Sequence, residues 1–463
     1  MIDARQHATV IVRTLREHGH QAYFNGGCVR DLLLGREPAD YDVATDATPQ
    51  QIIQIFPETL TVGAQFGVVL VPLSNADDRS SKPSSLQTVP WPGEDARRSK
   101  TTVEVATFRS DVGYSDGRHP DAVRFTKDPR EDVQRRDFTI NGMLLDPLTG
   151  EILDFVGGRA DLAAGLVRAI GNPERRFSED KLRMLRGVRF AARFGYEIES
   201  ATFSAIQCLA PQIHQVSQER VSEELTKMLT EGRAHRAFQL LDQTGLLKQV
   251  LPEISAMKGV EQPPQFHPEG DVFIHTLLLL EKLPAGCSKT LAWGALLHDV
   301  GKPPTFRVAP DRIRFDGHVE IGVKMAAEIC ARQRFSNDET DQILALVDNH
   351  MRFADVLSMK ASTLKRFLRL PAFDEHLELH RIDCLSSHGQ LDAYEYARGQ
   401  LHAIPPEAIR PQPLLTGRDL IEAGYEPGPR FKEILSAIED AQLEGRVASH
   451  TDAMELVARE FPL

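Results

Sequence analysis

Asp40 and Asp42 stand two residues apart in the stretch DYDVAT, shortly after Gly26, Gly27 and Arg30. Alternate side chains of a strand point to one face, so a strand through this stretch would project both carboxylates together. At about 5 Å and an effective dielectric near 20 their repulsion is roughly 3 kcal/mol, which a divalent cation between them would remove. Mg²⁺, a hard ion commonly held by one or two carboxylates plus phosphate oxygens, suits such a pair, and two ions can align attacking and leaving oxygens. Gly26 and Gly27 let backbone N–H groups approach a triphosphate, and Arg30 at the following helix start would add charge-assisted contacts. A DxD pair by itself is often only a solvated turn.

A second set of chemistry-bearing residues lies downstream. His275, the adjacent His298 and Asp299, then His318, His350 and Asp383 flank apolar helical runs such as IHTLLLL and LAWGALLHDVGKP. Imidazoles and carboxylates are the ligand types a divalent metal recruits, although an isolated histidine on such a helix is more often a hydrogen-bonded core residue.

These groups must be positioned by elements that the sequence also outlines. The 463 residues predict about three globular units, and no run of 18 apolar residues or signal-peptide pattern occurs, so a cytoplasmic protein is expected. Five widely spaced cysteines without CxxC imply reduced, mostly buried thiols. The pattern predicts an α+β chain. An N-terminal palm with a mixed or antiparallel sheet comprises a helix over 5–19, the strands AYFN, DYDVAT, FGVVLVPL and TVEVATF, and a helix after Thr48 and Pro49. Ser74–Lys100 reads as a polar insertion between two strands. From about Gly157 the pattern turns helical almost to the end. Seams are expected near Gly150, Gly245 and the Pro-rich 403–413 stretch, dividing the chain into 1–150, 151–245, 246–402 and 403–463.

Net charge is −12, from 54 Lys and Arg against 66 Asp and Glu, which argues against a partner held mainly through phosphates. Residues 168–193 are the exception, with eight basic residues against three acids. Within that window Asp180 and Arg183 are three apart, so a helix would place them on one face, and Arg186, Arg189 and Arg193 would continue as a basic stripe suited to RNA backbone or triphosphate.

The string GGCVRDLLLGREPADYDVAT resembles the signature of class II CCA-adding enzymes, which are tRNA nucleotidyltransferases, and of bacterial poly(A) polymerases. VEVATFRSD and DGRHP within 103–120, RRDFTINGM at 135–143, DFVGGRADL at 154–162 and EDKLRMLRGVRFAARFGY at 179–196 follow in the family's order. The resemblance implies a nucleotidyltransferase palm, then an all-α neck, an HD-type body and a helical tail. It implies that Asp40 and Asp42 hold the catalytic Mg²⁺ ions, with Glu104 as third carboxylate, for which a half-exposed strand glutamate is the alternative. Arg136 and Asp137 would contact the nucleotide and its ribose. Asp180 and Arg183 would read the base edges of CTP and then ATP, an ordinary surface ion pair being the plainer reading. Arg186 and Arg189 would add nucleotide contacts, and Arg220 in ERVSEELTKML would touch nucleotide or RNA or form a helix-start ion pair.

The later histidines resemble the HD-domain phosphohydrolase motif. By that resemblance His275, His298, Asp299 and Asp383 are ligands of an unspecified divalent metal, Lys302 contacts phosphate, and His318 and His350 complete a second metal position or orient phosphate. The implied reaction is addition of CCA from CTP and ATP to tRNA 3′ ends, with an HD phosphatase or phosphodiesterase activity beside it. A poly(A) polymerase, an A-adding or CC-adding specialist, and an HD-type RNA-end hydrolase are the alternatives. The final residues are not basic, whereas bacterial poly(A) polymerases commonly carry a basic extension, which favours the tRNA enzyme.

Overall fold

A computed structural model of the chain describes residues 4–60, 67–72, 102–112, 122–265, 267–310 and 312–463. The expected insertion at Ser74–Lys100 and the DGRHP stretch at 116–120 lie outside them. The chain divides into two compact units, Met1–Met228 with Arg236–Val250, and Leu229–His235 with Leu251–Leu463.

The first unit is built on a six-stranded mixed sheet. Its strands are β1 (Ala22–Asn25), β2 (Asp42–Thr45), β3 (Val68–Pro72) and β4 (Thr102–Thr107), with a separate hairpin of β5 (Arg109–Val112) and β6 (Ala122–Phe125), and then β7 (Met143–Leu145) and β8 (Ile152–Asp154). The sheet order is β3-β4-β2-β1-β7-β8, and β2 runs parallel to β4 while the other neighbours are antiparallel. In β4, TVEVAT buries Val103, Val105 and Thr107 and leaves Thr102, Glu104 and Ala106 on the opposite, half-open face, the alternation a one-sided sheet requires. The Ala4–Glu17 helix buries Ala8, Ile11, Val12 and Leu15 at helical spacing and packs on β1, β2 and β4. The Pro49–Ile55 helix starts where Thr48 and Pro49 predict, with a capping box between Thr48 and Gln51.

Two expectations need correction. First, β2 begins at Asp42, and Asp40 lies in the preceding bend, exposed. The physical reason is the partner strand: β1 pairs Phe24 with Val43, and two residues later the chain turns at Gly26, so no β1 backbone remains to pair with Tyr41 and Asp40. Second, β7 and β8 pair as a hairpin around Gly150, so the sheet runs through the seam expected there. The helical remainder of the first unit also carries a two-residue parallel pairing, Leu166–Val167 with Glu197–Ile198.

Among the described residues the second unit is helical apart from a short hairpin, Arg307–Val308 with Ile313–Arg314. Its centre is the Lys289–Leu297 helix, buried at every position from Leu291 to Leu297, as expected of a segment apolar on all sides. The last three helices, Gly417–Glu422, Pro429–Leu443 and His450–Glu460, bury their own cluster around Leu420, Ile434, Ile438 and Val457. All five cysteines are free, three of them buried. Among the described residues no helix is long and apolar enough to cross a membrane.

Candidate functional site

The parallel register of β2 and β4 sets Asp42 directly beside Glu104. Both line a cleft of about 260 Å³ together with Asn25, Val68, Ala106, Thr107, Arg109, Arg135 and Arg136. Enclosure of the carboxylate, then the neighbouring Glu104 and Asp40, push Asp42 well above the usual carboxylate range, and Arg136 only partly opposes them. Thus Asp40, although off the strand, belongs to the same electrostatic group. Acids that raise the cost of ionising one another offer oxygen donors of the kind a hard divalent ion takes, and its charge would offset that cost.

Arg136 is held over this cleft by two bonds, donating from Nη1 to Asn25 at 2.7 Å and from Nη2 to Asp132 at 2.7 Å. Burial works against the charge of Asp132, but Arg136 and Arg135 outweigh it and keep its carboxyl at about 2. Gly26 adopts φ 71°, a left-handed conformation that favours glycine, at the start of the Gly27–Leu33 helix. A Cβ there would come within 3.4 Å of Arg136 Nη1. Arg30, by contrast, does not face the cleft as a free phosphate ligand. It is buried at 4% exposure, donates to Asn141 at 2.6 Å and to Asp31 at 2.9 Å, and lies over the Phe194 ring.

Asn141 carries that chain of bonds onward, donating to Asp137 at 3.1 Å. Asp137 is also buried; burial would raise its carboxyl, but the Arg186 guanidinium, 2.9 Å away, outweighs it and holds the group ionised. The expected helical face carrying Asp180 and Arg183 does not form. The Pro173–Glu179 helix ends before Asp180, which is extended and accepts from the Leu182 N–H at 3.1 Å, and Arg183 belongs to the next helix, Leu182–Phe194. An aspartate that captures a backbone N–H two residues on competes with helix continuation. Asp180 pairs with Arg220 at 2.8 Å, and Arg183 with Glu179 at 2.9 Å and the Arg135 carbonyl at 3.1 Å. The basic stripe is likewise broken, because Arg189 is buried at 6% and paired with Glu224 at 2.7 Å.

In the second unit five separated segments converge. His275 sits in the Val272–Lys282 helix, His298 and Asp299 just after Lys289–Leu297, and His318 opens His318–Arg332. His350 follows Asn337–Asn349, and Asp383 is in Phe373–Ser386. Asp299 is the hub. Its Oδ2 lies 3.2 Å from His298 Nε2 and 4.0 Å from His275 Nε2, while its Oδ1 lies 3.8 Å from His350 Nε2 and 3.9 Å from His318 Nε2. Asp383 adds a contact to His275 Nε2 at 3.0 Å. His298, His318 and His350 each place Nδ1 within 2.9 Å of a backbone carbonyl, which fixes the tautomer and turns Nε2 inward. The Nε2 atoms of His318 and His350 are buried without a hydrogen bond, as acceptors awaiting a cation are. Burial pushes the His350 imidazole down to about 4, so the ring is neutral at physiological pH, the form that ligates metal.

Lys302 is not a solvent-facing phosphate contact. Its Nζ lies 2.7 Å from Asp299 Oδ2 and donates to Gln262 at 2.7 Å. A Cβ on Gly301 would sit 2.0 Å from the His318 carbonyl oxygen. Gly301→Ala should therefore separate the HD turn from the His318 helix and cost about 1–3 kcal/mol, readable as a lowered melting temperature; an unchanged melt would show that the contact yields freely.

Sequence reasoning missed Asn25, Asp132 and Asn141, which hold Arg136 and Arg30, and Gln262, His267 and Glu269, which reach the histidine cluster. Asn25 beside the paired glycines and Asp132, four residues before Arg136, were the legible signals; the others meet their partners across changes of element.

With this geometry described, comparison with known proteins is specific. A family model for the poly A polymerase head domain matches residues 22–168, one for an RNA and SrmB-binding site of polymerase A matches 195–258, and the HD domain model matches 272–383. A CCA-adding enzyme of Bacillus licheniformis is 38% identical over 452 residues, covering 97% of this chain and 96% of that protein. One of Lactobacillus helveticus is 30% identical over 453 residues, covering 97% and 95%. The crystal structure of the Bacillus stearothermophilus CCA-adding enzyme in complex with CTP superposes with a TM-score of 0.72 at 27% identity, covering 99% of this chain and 98% of that one. The Thermotoga maritima CCA-adding enzyme complexed with tRNA-CCA shares the fold, with a TM-score of 0.59 at 18% identity and coverage of 99% and 96%.

Proposed function

The chain belongs to the CCA-adding enzyme family, and we propose that it joins CMP and AMP from CTP and ATP to the 3′ end of tRNA, in the cytoplasm. The observation that carries this reading is the pairing of Asp42 with Glu104 across β2 and β4, in a cleft that Arg136 overhangs. Asp42 and Glu104, with Asp40 alongside, would hold Mg²⁺, which when bound supplies positive charge to the attacking and leaving oxygens. Arg136 is placed to bind triphosphate oxygens while Asn25 and Asp132 keep it in position. Gly26 leaves room for the phosphates beneath it. Arg30 and Asp137 form the buried support behind the cleft, with the partly exposed Arg186 paired to Asp137, instead of touching phosphate, the role suited to groups whose bonds are already made.

The domain roles follow. The palm with its sheet, through β8, performs nucleotidyl transfer, the helical stretch that follows to 245 reads the base and RNA, 246–402 is the HD body, and 403–463 is a helical tail. In the neck, Asp180 and Arg183 would accept from and donate to base edges, with Arg220 and Glu179 as their partners before a base arrives. Asp180→Ala should therefore relax the choice among the four nucleotides by about 10- to 100-fold, on the scale of one bidentate base contact, with little change in metal requirement. Unchanged selectivity in single-nucleotide incorporation would refute the templating role.

In the HD body, His275, His298, Asp299 and Asp383 would hold one divalent ion, and Asp299 with His318 and His350 a second, giving a metal-dependent hydrolase of phosphate esters at RNA ends. The experiment that tests the whole reading is incubation of the purified chain with tRNA lacking CCA, supplying CTP and ATP singly and together. Addition that stops after CCA supports it. Unlimited A addition would instead make the chain a poly(A) polymerase, and phosphate release without addition a hydrolase.

A further inference from the structure

Glu269 is not among the residues whose type and spacing announce the histidine cluster, yet its carboxylate reaches it. It stands six residues before His275, in the turn that leads into the Val272–Lys282 helix. That turn is pinned from both sides. The Val272 N–H donates to the Val260 carbonyl at 3.0 Å, the Gly259 N–H to the Asp271 carboxylate at 2.6 Å, and Asp271 caps the helix through the Ile274 N–H at 2.8 Å. The Glu269 side chain is consequently enclosed, at 7% exposure.

Its Oε1 lies 2.7 Å from His275 Nδ1 and 2.9 Å from His267 Nδ1. An ionised carboxylate only accepts, so each ring must carry its hydrogen on Nδ1 and offer Nε2 unprotonated in the neutral form. For His275 that Nε2 faces Asp383 at 3.0 Å and Asp299 at 4.0 Å. His298, His318 and His350 have their Nδ1 tautomers set by neutral backbone carbonyls, whereas His275 has a charged acceptor. A negative acceptor on Nδ1 polarises the imidazole further and makes Nε2 a stronger donor to a metal.

We propose that Glu269 is a positioning residue of the HD centre: by accepting from His275 Nδ1 it aims that ring at the metal position and strengthens it as a ligand, while His267, bonded to the same oxygen, steadies the carboxylate. This inference rests on the reading that His275, His298, Asp299 and Asp383 hold a divalent ion.

The test is Co²⁺ titration of the full chain, followed by visible absorption and calorimetry, in an Asp42→Asn background that weakens ion binding in the palm cleft. Glu269→Ala should weaken Co²⁺ binding by about 10- to 100-fold and shift the absorption band. Glu269→Gln, whose amide oxygen can still accept from Nδ1, should recover part of that loss. Adding Glu269→Ala to His275→Ala should weaken binding no further. Melting temperatures measured in chelator separate a lost site from a lost fold, and the Gln variant keeps the test open if the Ala variant does not fold. Parental affinity and an unshifted band in both Glu269 variants would overturn the proposal while leaving the metal reading intact. A parent that shows no Co²⁺ site removable by His275→Ala would overturn the metal reading, and this inference with it.

Discussion

Asp42→Asn is expected to abolish nucleotide incorporation, by a factor on the order of 10³ or more, while the chain stays folded and becomes no less stable. The loss follows from position. Asp42 is the acid that β2 presents beside Glu104 at the floor of the cleft, and an amide neither balances the charge of a divalent ion nor binds it comparably. The stability half follows from electrostatics. Asp42 is raised above the ordinary carboxylate range in the folded chain by enclosure, Glu104 and Asp40. A carboxyl whose folded value lies above its unfolded one costs stability once the pH exceeds the unfolded value, and that cost is complete above the folded value. Removing the charge removes the cost, so the Asn variant should melt at or above the parental temperature in chelator at pH 8. The two measurements are labelled CTP incorporation into tRNA lacking CCA and a melting curve. Near-parental incorporation would sink the assignment, and a lower melting temperature would show that Asp42 has a structural role.

Asp299→Asn should have the largest effect in the HD body, because one carboxylate faces four imidazoles and Lys302. Burial alone would raise its carboxyl, yet His298, Lys302 and His350 hold it far below the usual range. Without that charge the Lys302 ammonium, itself 7% exposed, is left opposite a neutral amide, a loss of about 3–5 kcal/mol for a broken buried pair. Divalent-ion binding at this cluster and chelator-sensitive phosphodiester hydrolysis should both disappear. Combining Asp299→Asn with Lys302→Met should recover much of the melting temperature and none of the hydrolysis, which distinguishes the two roles. Nucleotide addition by the double variant at the parental rate would confirm that the palm works without this centre. Hydrolysis that survives in Asp299→Asn would exclude this cluster as its source.

The elements themselves were largely legible. TVEVAT alternates as a strand should, Thr48 and Pro49 mark a helix start, and LAWGALL reads as an apolar helical run. Local pattern misleads where it runs past its backbone support. DYDVAT was read as strand throughout, but pairing stops at Asp42 because β1 turns away at Gly26. Asp180 and Arg183 carry helical spacing, but Asp180 spends its side chain on a backbone N–H and breaks the helix between them. The arginines after Arg183 have the spacing of a solvent stripe, yet Glu224 draws Arg189 inside.

What the linear chain determined was the inventory: which carboxylates, imidazoles and guanidinium groups are present, in what order, and on which kind of element, because periodicity and capping are properties of a few neighbouring residues. Which of them meet was decided by folding alone. Glu104 reaches Asp42 only through a parallel pairing of strands 62 residues apart in number, and Asp299 gathers His275, His318 and His350 from three separate segments. Such encounters depend on how whole faces pack to exclude water, a balance summed over the entire core, so no local spacing records them.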